Sequence, residues 1–277
     1  MVQPVGVFDS GVGGLSVLRE IQRELPFEDL VYVADSAYAP YGDRPADFIV
    51  DRSAALVRFL ISQNAKAVVV ACNTATAVAV DALREQFTLP IVAIEPAVKP
   101  AAATTQSGVV GVLATTQTLT SAKFARLVNQ YAGDATVLTQ PCPGLVEEIE
   151  RGDVTGPRTR ALIEEYVTPL INQGADTLVL GCTHYPFVAP VIQDVAGLGI
   201  TIVDPAVAVA RELRRRLHAI GLLSESCEPG VARFWTSADP AVIEPVMARL
   251  WGSAVPLNAL PMATDRDGRE SAQPPLS

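Results

Sequence analysis

Short runs of β-branched residues alternate with helix-length amphipathic stretches along almost the whole chain, and this alternation constrains the fold more than any other feature. The runs that read as strands are Val5–Asp9, Leu30–Asp35, Ala67–Cys72, Ile91–Glu95, Gly108–Ala114, Thr136–Gln140, Thr177–Cys182, Ile200–Asp204 and Ala232–Thr236. Between them lie helix-period stretches at Leu15–Leu25, Ala46–Ser62, Ala75–Phe87, Ser121–Tyr131, Arg158–Asn172 and Val207–Ile220. Strands that are apolar on both sides need both faces covered, and parallel sheet flanked by helices supplies that cover. The expected class is α/β.

Two segments repeat at nearly the same offset. Gly6-Val7-Phe8-Asp9-Ser10 is echoed by Gly111-Val112-Leu113-Ala114-Thr115, and Val68-Val69-Val70-Ala71-Cys72-Asn73-Thr74 by Leu178-Val179-Leu180-Gly181-Cys182-Thr183-His184. In each, a strand runs into small hydroxyl or amide residues and then a helix. One such echo is what β-branched strands produce by chance. Two that align polar strand ends point to two like-folded α/β halves.

Composition excludes several classes of function. The 277 residues are 49% hydrophobic and 18% charged, enough for a sizeable core and too apolar for a disordered chain. A net charge of −9 argues against nucleic acid or an anionic membrane held by a broad basic surface. Apolar runs such as Ala67–Ala71 are too short to span a bilayer, and Met1–Gly11 has no signal-peptide pattern. Four cysteines without a Cys-x-x-Cys pair, and only His184 and His218, predict a reducing, cytoplasmic setting and no metal site. The polar, proline-rich 257–277 stretch reads as a disordered tail.

Ligands of open parallel sheets lie outside the carboxyl ends of the strands. Asp9-Ser10, Asp35, Cys72-Asn73-Thr74, Thr115-Thr116 and Cys182-Thr183-His184 all gather there. If the halves face each other, Cys72 and Cys182 point into one cleft from opposite sides. A thiol at a strand-to-helix junction feels the helix N-terminus, which favours the thiolate below its usual pKa of about 8.5. A lone cysteine is usually a small buried hydrophobe; the matched pair reverses that reading. Asn73 and Thr183 fit helix capping as well as binding, and Asp9 fits a cap for the helix near Gly14. His184, alone a structural residue, becomes a thiol–imidazole partner beside Cys182. The Gly11-Val12-Gly13-Gly14 run matches neither the dinucleotide fingerprint nor the Walker pattern. Cys142 and Cys227 fall outside this pattern.

Opposed thiols suit inversion of a stereocentre, in which a base takes a proton from one face and an acid returns one to the other. The α-proton of an amino acid is very weakly acidic, so such a site must be water-poor and rich in donors. No lysine stands at a natural Schiff-base position, which favours a route without a cofactor.

Gly6-Val7-Phe8-Asp9-Ser10-Gly11-Val12-Gly13-Gly14-Leu15, Pro40-Tyr41-Gly42, Ala71-Cys72-Asn73-Thr74-Ala75 and Gly181-Cys182-Thr183-His184-Tyr185-Pro186 together resemble the bacterial glutamate racemase family, in order and from about residue 3 to about 250. The two cysteine motifs alone also fit aspartate racemase; the first and second segments favour glutamate. The resemblance implies L- and D-glutamate interconversion without a cofactor, supplying D-glutamate for peptidoglycan. It implies that Cys72 takes the α-proton from D-glutamate and Cys182 from L-glutamate. Asp9 would assist Cys72 or meet the ammonium, and His184 would assist Cys182. Ser10, Tyr41, Gly42, Asn73, Thr74 and Thr183 would join Asp9 and His184 in holding substrate. Glu150 matches a family acidic residue near the second cysteine, with Glu147 and Glu148 as neighbours that blur the assignment.

The resemblance also implies two pseudo-symmetric domains with the active site in the cleft between them. The first would be discontinuous, 1–95 plus 205–256, and the second would span 96–204. A homodimer is implied as well. Activation by a peptidoglycan precursor, which accompanies an N-terminal extension in some members, is not expected here. These motifs hold no arginine or lysine, so both substrate carboxylates would rest on backbone N–H groups, helix N-termini and neutral side-chain donors. The rival readings are aspartate racemase, a cysteine-nucleophile hydrolase using Cys182 and His184, and a two-lobed binding protein.

Overall fold

The computed structural model describes residues 3–261. Within them ten strands form: β1 Val5–Asp9, β2 Leu30–Ala34, β3 Ala67–Val70, β4 Ile91–Ala93, β5 Val109–Ala114, β6 Thr136–Pro141, β7 Thr177–Gly181, β8 Thr201–Val203, β9 Ala232–Thr236 and β10 Leu257–Ala259. They build two sheets, one in the order β10-β9-β2-β1-β3-β4 and one in the order β6-β5-β7-β8, and every pairing is parallel. The α/β class with two parallel sheets is what the alternation of strands and helices predicts.

The four strands β2-β1-β3-β4 have the same order as β6-β5-β7-β8. The two sequence echoes therefore fall on equivalent strands, β1 with β5 and β3 with β7. Gly6 and Gly111 share a physical cause. A side chain at Gly6 would run into Leu60 of the helix Ala46–Ser62, and one at Gly111 into Leu170 of the helix Pro157–Asn172. Each helix lies so close on its central strand that only glycine fits.

Strand alternation explains the continuous apolar runs. Val7 and Val69 pack into one core, while Phe8, Val68 and Val70 pack into another on the opposite face. The chain enters the second sheet at β5 and comes back to the first sheet through β9 and β10.

The tail expectation needs correction. Leu257–Ala259 pairs in parallel with Phe234–Thr236 as the edge strand β10; residues 262–277 lie outside the described part. Among the described residues, no helix is long and apolar enough to cross a membrane.

At the amino ends of the strands of the first sheet, far from its carboxyl ends, Lys66 Nζ lies 2.6 Å from Glu28 Oε2, both side chains nearly inaccessible. In the second half, Asp176 precedes β7 and accepts hydrogen bonds from Gln106 N, Ser107 N and the Thr105 and Thr177 hydroxyls. Its partial burial alone would raise its pKa, but these donors hold it well below the usual carboxylate range. Asp176→Asn is expected to cost about 1–3 kcal/mol at pH 7. A depressed folded pKa gives stability that is fully present above the unfolded value and lost as pH falls through the folded one, so the gap should begin to narrow below about pH 4 and close only well below that. Urea titrations of both proteins at pH 7 and pH 3 check this.

Candidate active site

Asp9 ends β1 and is fully buried. Its Oδ1 accepts from Ser10 N at 2.7 Å and from the Ser10 hydroxyl at 3.3 Å. Its Oδ2 accepts from Gly14 N at 2.6 Å and from the Thr183 hydroxyl at 3.1 Å. One carboxylate thus ties the loop after β1 to the loop after β7, which belongs to the other sheet. Burial pushes the Asp9 pKa up, with His184 opposing as a positive neighbour.

Cys72 lies two residues past β3 and is the N-cap of the helix Asn73–Gln86, its sulfur accepting from Ala75 N at 3.4 Å. The thiol donates to Ser10 Oγ at 3.5 Å. The thiolate expectation is overturned here: burial, and then the Asp9 charge, drive the Cys72 pKa far above its ordinary value. A helix N-terminus is worth about 0.3–1 kcal/mol to a nearby negative charge, and full desolvation outweighs that. In this closed arrangement Cys72 is a neutral thiol.

Cys182 follows β7 directly, with its sulfur 3.7 Å from His184 Nδ1. His184 Nε2 lies 2.6 Å from Glu150 Oε1, and Glu150 Oε1 also accepts from Val12 N at 2.8 Å. Burial alone would lower the His184 pKa; hydrogen bonds to Cys182 and Glu150 outweigh it and raise the pKa well above the ordinary imidazole value. These contacts favour the imidazolium form, which presents one N–H to Glu150 and the other to the Cys182 sulfur. Of the neighbouring carboxylates, Glu148 pairs with Arg151 and Arg158.

The glycine run now has a cause. A side chain at Gly11 would overlap the Glu150 carboxylate, and one at Gly13 would overlap the His184 ring. These glycines admit a histidine–glutamate pair from the opposite half rather than a phosphate.

The remaining expected residues divide. Ser10, Thr74, Thr183 and both cysteines are buried and converge on the same region. Thr74 Oγ1 sits 3.0 Å from Thr115 Oγ1, which in turn is 3.0 Å from Thr118 Oγ1, a hydroxyl cluster bridging the halves. Gly42 packs against Thr115. Asn73 caps nothing: its Oδ1 and Nδ2 are buried without a hydrogen-bond partner among the described residues, as is the Thr76 hydroxyl. Thr183 serves as a donor to Asp9, not as a helix cap. The segment after it is a short 3-10 turn, Tyr185–Val188, before the helix Ala189–Ala196. Tyr41 directs its hydroxyl to Asp35 Oδ2 at 2.5 Å, and Asp35 is gripped by Arg52. Thr118 and Arg52 escaped the sequence reading. The Ser10–Thr115 echo marks the first hydroxyl of the Thr115–Thr118 cluster, whereas no local spacing marks Arg52. Among the described residues, no group of three or more His, Cys, Asp or Glu side chains is placed to hold a metal ion.

Two parallel-sheet halves that each bring a cysteine to a buried, donor-lined strand end define the architecture of a racemase-like enzyme. The model of the Asp/Glu/hydantoin racemase family matches residues 5–213, and the chain belongs to that family. It is an isomerase of the racemase class. It is 57% identical over 241 residues to a glutamate racemase of Pseudomonas aeruginosa, covering 87% of this chain and 91% of that protein. Its fold matches a glutamate racemase structure from Bacillus anthracis with a TM-score of 0.86 at 32% identity, over 93% of this chain and 97% of that one. A Francisella tularensis glutamate racemase in complex with D-glutamate matches with a TM-score of 0.81 at 30% identity, over 93% and 97%.

Glu150→Gln is expected to remove the charge that keeps His184 protonated. The His184 pKa should fall, and activity should be lost at lower pH on the alkaline side, with a drop of about tenfold near pH 8. A kcat/KM profile from pH 6 to 9 for both proteins reads the shift.

Proposed function

We propose that this protein interconverts L- and D-glutamate without a cofactor, by proton transfer between two cysteines on opposite faces of the substrate. The observation that carries the reading is that the Asp9 carboxylate joins Ser10, the hydrogen-bond partner of Cys72, to Thr183, the residue after Cys182 in the other half. Cys72 serves the α-proton of D-glutamate and Cys182 that of L-glutamate, and each returns a proton when the reaction runs the other way. The two thiols start from different states. Cys182 has an imidazolium N–H aimed at its sulfur, ready to stabilise negative charge or to supply a proton. Cys72 is a buried neutral thiol beside Ser10 and Asp9, suited to donate first. When it acts as base, the substrate ammonium near Asp9 offsets the charge that opposes its ionisation.

Cys72, Asn73, Thr74, Thr183 and His184 are each 7% exposed or less, so substrate entry requires the halves to part. Closure then gives a water-poor site in which fixed donors act strongly on the developing negative charge. Asn73 and Thr76, with polar atoms buried and unpaired, are ready donors for a carboxylate. Asp9, Ser10, Tyr41, Gly42, Asn73, Thr74, Thr183 and His184 line the substrate, and Glu150 acts through His184.

The two sheets support a division into a discontinuous first domain, 1–95 with 205–256, and a second, 96–204. A cytoplasmic homodimer supplying D-glutamate for peptidoglycan completes the proposal. Chiral chromatography after incubation with L-glutamate and, separately, L-aspartate tests the substrate: D-glutamate is expected. D-aspartate alone would move the assignment to aspartate racemase, and no D-product from either would overturn the racemase reading.

A further inference from the structure

Asp35 directly follows β2, the strand next to β1, and its backbone N–H donates to Asp9 O at 3.0 Å, so it sits beside the candidate site. That carboxylate is fully inaccessible, and a buried anion must be compensated. Arg52, from the helix Ala46–Ser62, supplies a two-pronged clamp, Nε to Oδ2 at 3.0 Å and Nη2 to Oδ1 at 2.6 Å. The Tyr41 hydroxyl completes the set on Oδ2. The guanidinium also lies over the Tyr38 ring, 4.1 Å from its centroid. Arg52 therefore grips the residue before the short segment Ser36–Tyr41 and stacks on Tyr38 within it, while Tyr41 at its end is tied to the same Asp35 carboxylate. The next residue, Gly42, rests on Thr115 of the opposite half, and Thr115 joins Thr74 beside Cys72.

This arrangement has two consequences. The Tyr41-Gly42 segment is held by a planar fork that a lysine does not reproduce. The Asp35 charge is cancelled locally, so it does not oppose a doubly anionic substrate or a thiolate nearby.

We propose that Arg52 is a positioning residue of the racemase site, neutralising the buried Asp35 carboxylate and through it fixing the Tyr41-Gly42 segment against the opposite half. Arg52 is an indirect contributor: Asp35 and Tyr41 stand between it and the cleft. The inference rests on the glutamate reading given above.

The test compares KM and kcat for L-glutamate in wild type, Arg52→Gln, Arg52→Lys and the double variant Asp35→Asn with Arg52→Gln, each first checked for a cooperative thermal transition. Arg52→Gln leaves the carboxylate uncompensated and is expected to raise KM by about tenfold or more. The double variant, in which an amide pair replaces the ion pair and still accepts from Tyr41, should bring KM back to within about threefold of wild type. A merely structural role for Arg52 would lower the thermal transition of Arg52→Gln and leave its KM for L-glutamate unchanged. Arg52→Lys keeps the charge but loses the fork, and should raise KM by about threefold or more while folding normally. An Arg52→Gln KM equal to that of wild type overturns the proposal, as does a double variant no better than Arg52→Gln. If Arg52→Gln does not fold, the lysine variant decides: a KM unchanged from wild type overturns the proposal. Failure of wild type itself to racemise glutamate would instead overturn the functional reading, a separate outcome seen in the same assay.

Discussion

Cys72→Ser and Cys182→Ser, made separately, are each expected to slow glutamate racemisation by about 10²–10⁴-fold. A serine hydroxyl is a far weaker acid than a thiol and cannot carry the proton at the required step, yet it fills nearly the same space. Both sites are buried, so the fold should survive and the thermal transition should stay close to that of wild type. The two enantiomers have equal free energy. Hence kcat/KM is the same in both directions for wild type and for every variant, and the loss must appear from either side. The variants should still differ in the half-reaction. With Cys182→Ser the Cys72 face remains, and D-glutamate should exchange its α-proton faster than L-glutamate; Cys72→Ser should show the reverse. Proton NMR in D2O on each pure enantiomer resolves these rates. A Cys72→Ser variant racemising within a few-fold of wild type would contradict the account and favour a nucleophile based on Cys182 and His184.

The largest stability effect lies at the far end of the first sheet. Lys66→Met leaves the Glu28 carboxylate buried with Ser224 N as its remaining close donor. Removing one partner of a buried ion pair costs about 3–5 kcal/mol, because the other charge stays desolvated. For a chain of this size that lowers Tm by about 10 °C. The double variant Lys66→Met with Glu28→Gln should recover most of the loss, since the amide oxygen still accepts from Ser224 N and no charge is buried. Residual activity per folded molecule should be unchanged, because the pair sits at the amino ends of the strands and the proposed catalytic residues at the carboxyl ends. Denaturant titrations of the three proteins measure this; a cost below about 1 kcal/mol for Lys66→Met would mean that water reaches Glu28.

The legible parts of the fold are those in which burial acts on both faces of a strand. β1, β3, β5 and β7 are continuous apolar runs because each is covered from above and below, and their repetition along the chain exposes the shared order of the two sheets. Leu257–Ala259 was unreadable for the opposite reason: it is a three-residue edge strand, partly exposed, with no periodicity to separate it from the tail. The helix Pro240–Trp251 did carry a signal, since Asp239 caps it and Pro240 occupies its first turn.

At the site, Asp9, Cys72, Cys182 and His184 lie at or just past the carboxyl ends of β1, β3 and β7, where the strand pattern of the sequence puts them. The charge state of Cys72 is not legible in the sequence, because the helix N-terminus can be seen there and the degree of burial cannot. Glu150 stood among three similar glutamates until the fold sent Glu148 to two arginines and Glu150 to His184. Arg52 was hidden because its partner lies on another element, and only the packing of the helix Ala46–Ser62 on the sheet brings the two together.

The central claim is that separate acids and bases serve the two faces of the α-carbon. Proton NMR of wild-type protein with L-glutamate in D2O, followed through the first few per cent of conversion, tests it most directly. The account predicts that the D-glutamate formed carries deuterium at the α-carbon from the start, while the remaining L-glutamate keeps its proton. D-glutamate that retains the original proton would mean that one group carries it from face to face, and would contradict the two-thiol mechanism.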